Sequence, residues 1–145
     1  MENTQQNPTK EKVKLDFKDA NYATGKRKTS IAKIWLKKGS GKIFVNGKNY
    51  EDYFKRANHK MQLLRPFEIL NQSTSYDDRC NVKGGGLSGQ VGAMVHGISK
   101  ALVQMNPESK STLKKEKLTT RDSRSVERKK YGHRKARRSF QFSKR

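Results

Sequence analysis

Apolar residues in the first half of the chain form short runs that favour β-strands. Residues 30–36 are rich in β-branched and aromatic side chains, and glycine and serine separate them from the apolar run Ile43–Val45. This order predicts a β-hairpin. Asn46-Gly47 tolerates the positive φ angles of a tight turn, which makes residues 48–50 a short returning strand. A further strand is expected at residues 79–83.

Helical periodicity is strongest after the three glycines at residues 84–86. Apolar residues from Val91 to Met105 recur at three- and four-residue spacing, which places them on one face of a helix. Asn106-Pro107 is expected to end this helix, and residues 107–118 to add a short basic one. Two shorter helices are predicted at residues 51–54 and 58–64. Pro66 should end the second, because proline disfavours a helical backbone at the preceding residue.

Composition limits the folded part of the chain to one small domain. Hydrophobic residues make up 31% of the 145 residues, compared with about 45–50% in ordinary globular proteins. We expect a globular domain at residues 21–118. Residues 1–20 are polar and aperiodic, which predicts a disordered extension, and residues 119–145 have too few apolar side chains to fold alone. The latter are predicted to be an extended basic tail.

The charge of the chain calls for an anionic partner. Its 34 basic and 13 acidic residues give a net charge of +21. The last eighteen residues hold nine Lys or Arg and no acid, with aromatic rings at Tyr131, Phe140 and Phe142. Cations at this density cannot pack against a protein core, whereas guanidinium groups bind phosphate and rings stack on bases. The tail is therefore predicted to bind nucleic acid, with a solvated basic tail or a targeting signal as the alternative interpretation.

Several other classes of protein are not indicated by the sequence. No apolar run has the length of a membrane span, and the first residues lack the character of a signal or transit peptide, so an intracellular protein is expected. Cys80 is the only cysteine and is interpreted as a small strand residue. The three histidines have no metal-ligand spacing, and neither a metal nor a cofactor is expected.

Two motifs have both a structural and a functional interpretation. Residues 83–90 place three glycines before a helix N-terminus, where free amides and the helix dipole attract phosphate. They match neither a Walker loop nor a dinucleotide fingerprint, and a purely structural turn is equally compatible with them. Residues 25–30 place Lys26, Arg27 and Lys28 at the entry to the first predicted strand. These three cations suit either RNA contact or a solvated strand edge.

Catalysis is not indicated by the remaining polar residues. His96, Ser99 and Ser88 are a conceivable base and nucleophiles, but no acid is placed to orient the histidine, and no serine lies in a nucleophile elbow. Tyr50, Tyr53 and Phe54 are interpreted as core packing rather than as a platform for bases.

Four stretches together resemble a known family. They are Gly25 to Ser30 with Ala32-Lys33; Asn46-Gly47-Lys48 leading to Tyr53-Phe54; Lys83 to Gln90 continuing to His96-Gly97-Ile98 and Ala101-Leu102; and Thr120 to Arg124, then Val126 to Lys130, Lys135 to Arg138 and Gln141 to Arg145. From about Tyr22 onward the chain is similar to the small-subunit ribosomal protein S9 family in its bacterial or organellar form.

The resemblance implies a fold and a role. The fold is an α+β domain like the second domain of ribosomal protein S5, with a four-stranded sheet, helices on one face and a left-handed β-α-β crossover. The role is that of a structural, non-catalytic constituent of the small ribosomal subunit. Its partners are the 3′ major domain of the ribosomal RNA, neighbouring head proteins and the peptidyl-site tRNA, without a membrane. The location is the ribosome, in the bacterial cytoplasm or the mitochondrial matrix.

Individual residues are assigned to these partners. By the resemblance, tRNA contacts fall to Ser143, Lys144 and Arg145. Predicted ribosomal RNA contacts are Lys26, Arg27, Lys28, Lys83, Gly84, Gly85, Gly86, Arg121, Arg124, Arg128, Lys129, Lys130, Arg134, Lys135, Arg137 and Arg138. Two other functions remain as alternatives. One is a histone-like protein that condenses nucleic acid, which the charge alone permits. The other, an enzyme that handles phosphate at the glycine loop, lacks acidic metal ligands.

Overall fold

The computed structural model describes residues 17–144. The elements of this part of the chain follow in the order β1 (Asn21–Arg27), β2 (Ser30–Lys38), β3 (Ile43–Val45), β4 (Lys48–Asn49), α1 (Tyr50–Tyr53), α2 (Ala57–Ile69), β5 (Tyr76–Lys83), α3 (Leu87–Met105) and α4 (Ser109–Lys115). They form an α+β domain built on one mixed sheet. Most of the residues predicted to be a disordered extension, 1–16, lie outside the described part.

The five strands lie in the order β1-β2-β5-β3-β4. β5 is antiparallel to β2 and parallel to β3. The predicted hairpin between β2 and β3 is therefore wrong, because β5 lies between these strands. Asp77 at the start of β5 holds the connecting loop, since its Oδ1 accepts hydrogen bonds from the backbone N–H groups of Ser40 at 2.8 Å and Lys42 at 3.0 Å. The glycine–serine loop thus passes around the end of β5.

A strand that the sequence did not indicate, β1, precedes the first predicted strand, which is β2. β1 pairs with β2 in a hairpin whose two-residue turn is Lys28-Thr29. The three cations predicted at the entry to the first strand instead lie at the end of β1 and in this turn. β1 was missed because its core-facing residues are the small Ala23 and Gly25, which give no apolar alternation.

The predicted turn at Asn46-Gly47 is confirmed. Both residues have positive φ angles, 50° and 79°, as a two-residue hairpin turn requires. The turn joins β3 to β4, whose two residues add a fifth strand to the four that the resemblance implied. The chain then crosses from β3 to the parallel β5 through α1 and α2.

All four predicted helices are present, and their ends lie within about three residues of the prediction except at the end of α2. α2 continues through Pro66 to Ile69 instead of ending near Leu64. Proline has no N–H group and leaves the carbonyl of Gln62 without its helical partner. Leu63, Pro66 and Phe67 are buried together with the rest of the core. We attribute the persistence of the helix to this burial, which offsets the local cost.

One face of the sheet packs against the helices. α3 lies across β1 and β2, and α2 packs on α3. Phe54 and Cys80 are buried, and Tyr50 and Tyr53 pack against the core, which confirms the interpretation of all four. α3 approaches β1 closely, because Gly25 and Gly97 present no side chains to each other.

β5 starts at Tyr76, three residues before the predicted strand. The sequence concealed this start because Asp77 and Asp78 are acidic and yet buried. Asp78 is completely buried; its Oδ2 accepts a hydrogen bond from the Cys80 thiol at 3.0 Å, whereas Oδ1 has no partner among the described residues. Burial raises the pKa of Asp78 to about 7.

Residues 116–144 contain no helix or ladder of strands, only an isolated bridge between His133 and Ser139. Most of their side chains are exposed. Among the helices of residues 17–144, none combines the length and apolar character that spanning a membrane requires.

Candidate nucleic-acid interface

Three segments meet around the N-terminal end of α3. They are the Lys28-Thr29 turn, the glycine loop at residues 84–86 and the chain at residues 121–126. Ser30 Oγ donates a hydrogen bond to the carbonyl of Gly84 at 3.0 Å and so joins the turn to the loop. Arg27 Nη1 donates to the carbonyl of Arg124 at 3.2 Å and joins β1 to the third segment. Positions far apart in sequence are thereby brought to one surface.

The glycine loop requires backbone angles that favour glycine. Gly84 and Gly85 have φ angles of 75° and 63°, and a Cβ on Gly85 would collide with Ser30 Oγ. Gln90 Nε2 donates to the carbonyl of Gly84 at 3.2 Å, and Tyr53 donates its hydroxyl proton to Gln90 Oε1 at 2.9 Å. The loop is therefore a braced structural turn, and residues 84–88 are exposed.

The N-terminus of α3 keeps its first amide groups available. Gly86 is the N-cap residue and supplies no side chain to accept from them. The 19 residues of α3 give this end the positive pole of a helix dipole. The geometry thus retains the anion-attracting property that the sequence indicated, alongside its structural role.

A cavity of about 760 Å³ opens beside this helix end. Its lining includes Lys28, Arg56, His59, Ser125, and Gly85 and Gly86 of the glycine loop. Arg56 and Ser125 are not among the predicted RNA contacts. Arg56 is the residue before α2, and nothing in its local sequence indicates that the β3–β5 crossover brings it here.

Asp122 partners two of the arginines that were predicted to bind RNA. Arg27 Nη2 lies 3.1 Å and Arg124 Nη2 lies 2.8 Å from Asp122 Oδ2. Hydrogen bonds from Arg124 and the positive charges of Arg124 and Arg27 hold the pKa of Asp122 below its usual range. Arg27 therefore attaches residues 122–124 to the domain, whereas Arg124 pairs within its own segment. Lys26, Lys28, Lys83 and Arg121 are exposed.

The later part of the tail makes its own local structure. Arg137 forms hydrogen bonds with both carboxylate oxygens of Glu127 at 3.0 Å, the N–H of Arg134 donates to the carbonyl of Arg138 at 2.7 Å, and Arg134 lies over the Phe140 ring. Within the described residues, the hydrogen bonds of residues 128–144 reach only other residues of 127–144. No described hydrogen bond therefore joins residues 128–144 to the three segments around the start of α3.

Exposed cations and rings alternate along this tail segment. Arg128, Lys129, Lys130, Lys135, Arg138 and Lys144 are exposed and take part in none of the ion pairs in the described part of the chain. Tyr131 and Phe142 are 96% and 85% exposed, which an apolar ring does not favour in water. Ser143 is also exposed. Arg145, the third residue assigned to tRNA, lies outside the described residues.

His59, His96, Ser88 and Ser99 form hydrogen bonds within the fold. His96 Nδ1 accepts from the N–H of Lys26 at 3.3 Å, and Ser99 Oγ donates to the carbonyl of Val95 at 2.7 Å. Burial, and then the charge of nearby Lys100, lower the pKa of His96. Ser88 Oγ lies 3.1 Å from Nε2 of His59, whose Nδ1 has no partner in the described structure. No carboxylate within residues 17–144 accepts from His59 Nδ1, as the orienting acid of a catalytic triad does.

Comparison with known families identifies the chain. The family model described as ribosomal protein S9/S16 matches residues 25–145. The match includes the Lys28-Thr29 turn, the glycine loop and residues 119–145, for which a basic tail was predicted. Proteins of this family are RNA-binding components of the small ribosomal subunit and act in translation. The match covers most of the chain, which therefore belongs to the ribosomal protein S9/S16 family.

Proposed function

We propose that the chain is a structural, non-catalytic constituent of the head of the small ribosomal subunit. Its globular part binds the 3′ major domain of the ribosomal RNA and contacts neighbouring head proteins. Its tail continues through RNA to the peptidyl-site tRNA. We propose that the protein is located in the ribosome, in the bacterial cytoplasm or the mitochondrial matrix.

The observation that carries the proposal is the convergence of basic segments on the exposed start of α3. Lys28 and Arg56 line the cavity there, and the uncapped amides of the helix add partial positive charge. Phosphate oxygens are the ligands that suit both kinds of group. Contacts of this kind fix the position of an RNA backbone without selecting a base sequence.

The tail supports the second half of the proposal. The tail has six exposed cations that form no ion pair in the described part of the chain, and its exposed rings lie among them; the six are Arg128, Lys129, Lys130, Lys135, Arg138 and Lys144. Ser143, Lys144 and Arg145 are proposed to contact the backbone of the tRNA anticodon stem-loop. Phosphate contacts suit a site that must accept every tRNA, because they carry no sequence information.

The finer features of the fold belong to the same proposal. The crossover from β3 through α1 and α2 to β5 is proposed to be left-handed, as in the second domain of ribosomal protein S5. The domain is proposed to extend over residues 21–118 and the tail over 119–145. Residues 121–126 then form an anchored start of the tail, and residues beyond 127 its RNA-bound part.

A competition titration tests the RNA assignment. Labelled 3′ major-domain RNA is bound by the full chain at near-physiological salt, with other head proteins present, and is challenged with duplex DNA or unrelated structured RNA. Strong preference for the cognate RNA supports the proposal. Equal competition by all three would instead favour the histone-like condensing protein, because charge alone would then account for binding.

Matched lysine variants test the tail. Lys129, Lys130 and Lys135 are replaced by Gln in one protein, and Lys110, Lys114 and Lys115 of α4 in another, so that both lose the same charge. If about six tail cations meet phosphates, log affinity should fall with log salt at a slope of about −4 to −5 in the wild type. The tail variant should reduce this slope by about 2 to 3, and the α4 variant much less. Equal slopes in the two variants would contradict a dedicated tail.

A further inference from the structure

The face of the sheet opposite α3 carries aromatic and basic side chains. Along β1, β2 and β5 buried residues alternate with more exposed ones, and the latter lie on this second face. We name it the open face and define it by Tyr22, Thr24, Lys26, Ile31, Lys33, Trp35, Phe44, Arg79, Asn81 and Lys83. Its aromatic residues Tyr22, Trp35 and Phe44 have no part in the function proposed above.

Three aromatic residues and an arginine form one row across the open face. The strand register pairs Tyr22 with Trp35, Trp35 with Arg79, and Arg79 with Phe44. The rings of Tyr22 and Trp35 lie 5.3 Å apart with an interplanar angle of 46°, and the guanidinium carbon of Arg79 lies 5.8 Å from the centre of the Trp35 ring. Since neighbouring strands are about 4.8 Å apart, the row spans roughly 14 Å.

A second row of polar side chains runs parallel to the first. Lys33 lies between Thr24 and Asn81, two residues along each strand from the aromatic row. This places the rows about 6.7 Å apart. Beyond it, Lys26 and Lys83 flank Ile31. A flat ligand on the first row would therefore have cations along one side.

The open face has positive charge and little accessible negative charge. None of the ion pairs in residues 17–144 involves Lys26, Lys33, Arg79 or Lys83. Asp77 shares this side of β5, but it is 6% exposed and its carboxylate accepts from the loop after β2. The face is therefore complementary to a polyanion.

We propose that the open face binds a stretch of unpaired RNA, with bases stacked on the aromatic row and phosphates against the lysines beside it. The proposal rests on the RNA-binding role proposed above and adds a second binding surface to it. Sheets that display aromatic rings bind two or three single-stranded bases by stacking, which suits the length of the row. A duplex would hide its bases from the rings.

The N-terminal segment of the chain is a less suitable occupant. Residues 1–16 carry three lysines and three acidic residues, so their net charge is zero. They offer no charge complementarity to Lys26, Lys33, Arg79 and Lys83, which form no ion pair within residues 17–144. An RNA strand supplies a negative charge at every nucleotide and a flat ring for each aromatic position.

Trp35 provides a direct probe, because it is the only tryptophan of the chain. The full chain is titrated with oligoadenosine and, separately, with 3′ major-domain RNA. Tryptophan emission reports on the open face, and the anisotropy of a labelled RNA reports on total binding. We expect saturable quenching of Trp35 by both RNAs, because a stacked base contacts its ring.

Two pairs of variants locate the effect. Lys33→Gln should weaken the quenching by oligoadenosine, whereas Lys38→Gln, which changes the same charge at the end of the same strand, should not. Tyr22→Leu, which keeps apolar cover beside Trp35, should weaken it by at least about fivefold. Lys33 and Lys38 are exposed, and Tyr22 is 45% exposed, so these variants are expected to fold; melting curves confirm this.

The other outcomes contradict the proposal in distinguishable ways. If anisotropy shows RNA binding while Trp35 emission stays constant, the open face is not an RNA site and the proposed function stands. If neither RNA binds, the proposed function fails as well. Equal quenching in the two lysine variants would indicate a nonspecific effect. Quenching only after deletion of residues 1–16 would assign the face to that segment, and a change seen only with purified small-subunit proteins would assign it to a protein.

Discussion

Gly25 of β1 and Gly97 of α3 lie in backbone contact. A Cβ on Gly97 would be 3.0 Å from the backbone nitrogen of Gly25 and 2.7 Å from Cγ1 of Ile34. A Cβ on Gly25 would collide with the backbone of Ala93 and Gly97. The distance between helix and sheet is therefore set by these two glycines.

Gly97→Ala should destabilise the domain by about 1–3 kcal/mol, since the added methyl group overpacks the contact with β1. Gly92→Ala is the matched control in the same helix. There the added Cβ meets only the flexible side chain of Arg27, with the nearest atom at 2.9 Å, so we expect a change within about 1 kcal/mol. Urea unfolding measures both. Equal midpoints and slopes for the two variants would show that the contact can relax.

The Arg27–Asp122 pair should hold the start of the tail against the domain. Asp122→Asn keeps the shape of the side chain but removes its charge, and hydrogen exchange of the amides at residues 121–126 should become faster. The melting temperature should change little, because an ion pair at the surface that water still reaches adds little stability. Glu116→Gln, which breaks the exposed Arg65–Glu116 pair, is the control and should leave exchange in residues 121–126 unaltered. Unchanged exchange in Asp122→Asn would mean that other contacts anchor the segment.

Asp78 should make the protein less stable as the pH rises toward neutrality. Its carboxyl is protonated below a pKa of about 7 in the folded state, compared with about 3.9 when unfolded. Below both values the burial of Asp78 costs no ionisation energy. Between them, the free energy of unfolding should fall by up to about 1.4 kcal/mol per pH unit, and above pH 7 the loss should be constant.

Asp78→Asn isolates this effect. The difference between wild type and variant, measured by urea unfolding from about pH 5 to pH 8, should change with pH in favour of the variant as the carboxyl ionises. Asp52→Asn, at an exposed acid of α1, should follow the wild type throughout. Parallel wild-type and Asp78→Asn curves would show that Asp78 does not titrate in this range.

Lys144→Ala and Arg145→Ala should each speed the dissociation of tRNA from the peptidyl site of reconstituted small subunits. Subunit assembly should remain nearly normal, because these residues follow the end of α4 by 29 and 30 positions in the sequence. Lys110→Ala in α4 serves as the control for charge. Dissociation rates equal to those of the wild type would remove the tRNA contact from the proposed function.

Local patterns predicted most of the elements, while pairing over long distances escaped them. The apolar repeat of α3 and the Asn46-Gly47 turn are encoded within a few residues, and both are confirmed. Asp77 and Asp78 made the start of β5 resemble a loop, because two adjacent acids are typical of exposed segments. Asp77 is buried by hydrogen bonds to residues at least 35 positions away, and Asp78 is buried in the core. At Pro66, likewise, burial of α2 against the core outweighs the local tendency of proline to end a helix.

In the candidate interface, too, local patterns were predictable and contacts between distant residues were not. Its basic and glycine-rich segments were visible in the sequence because their composition is unusual. Asp122 was not selected, although it partners both Arg27 and Arg124, because one acid in a basic segment has no periodic signal. Arg56 joins the cavity only through the crossover between β3 and β5.

The central position of β5 has a consequence for the order of folding. The β1–β2 and β3–β4 hairpins join neighbouring residues and can form early, whereas β5 must pair with both at once; Lys33, for example, pairs with Asn81. Contacts between residues so far apart in sequence slow folding. During synthesis, the inner edges of β2 and β3 therefore stay unpaired until residue 83 has left the exit tunnel. A nascent chain of this protein is vulnerable to mispairing over that interval, because its sheet is complete only after β5 has been synthesised.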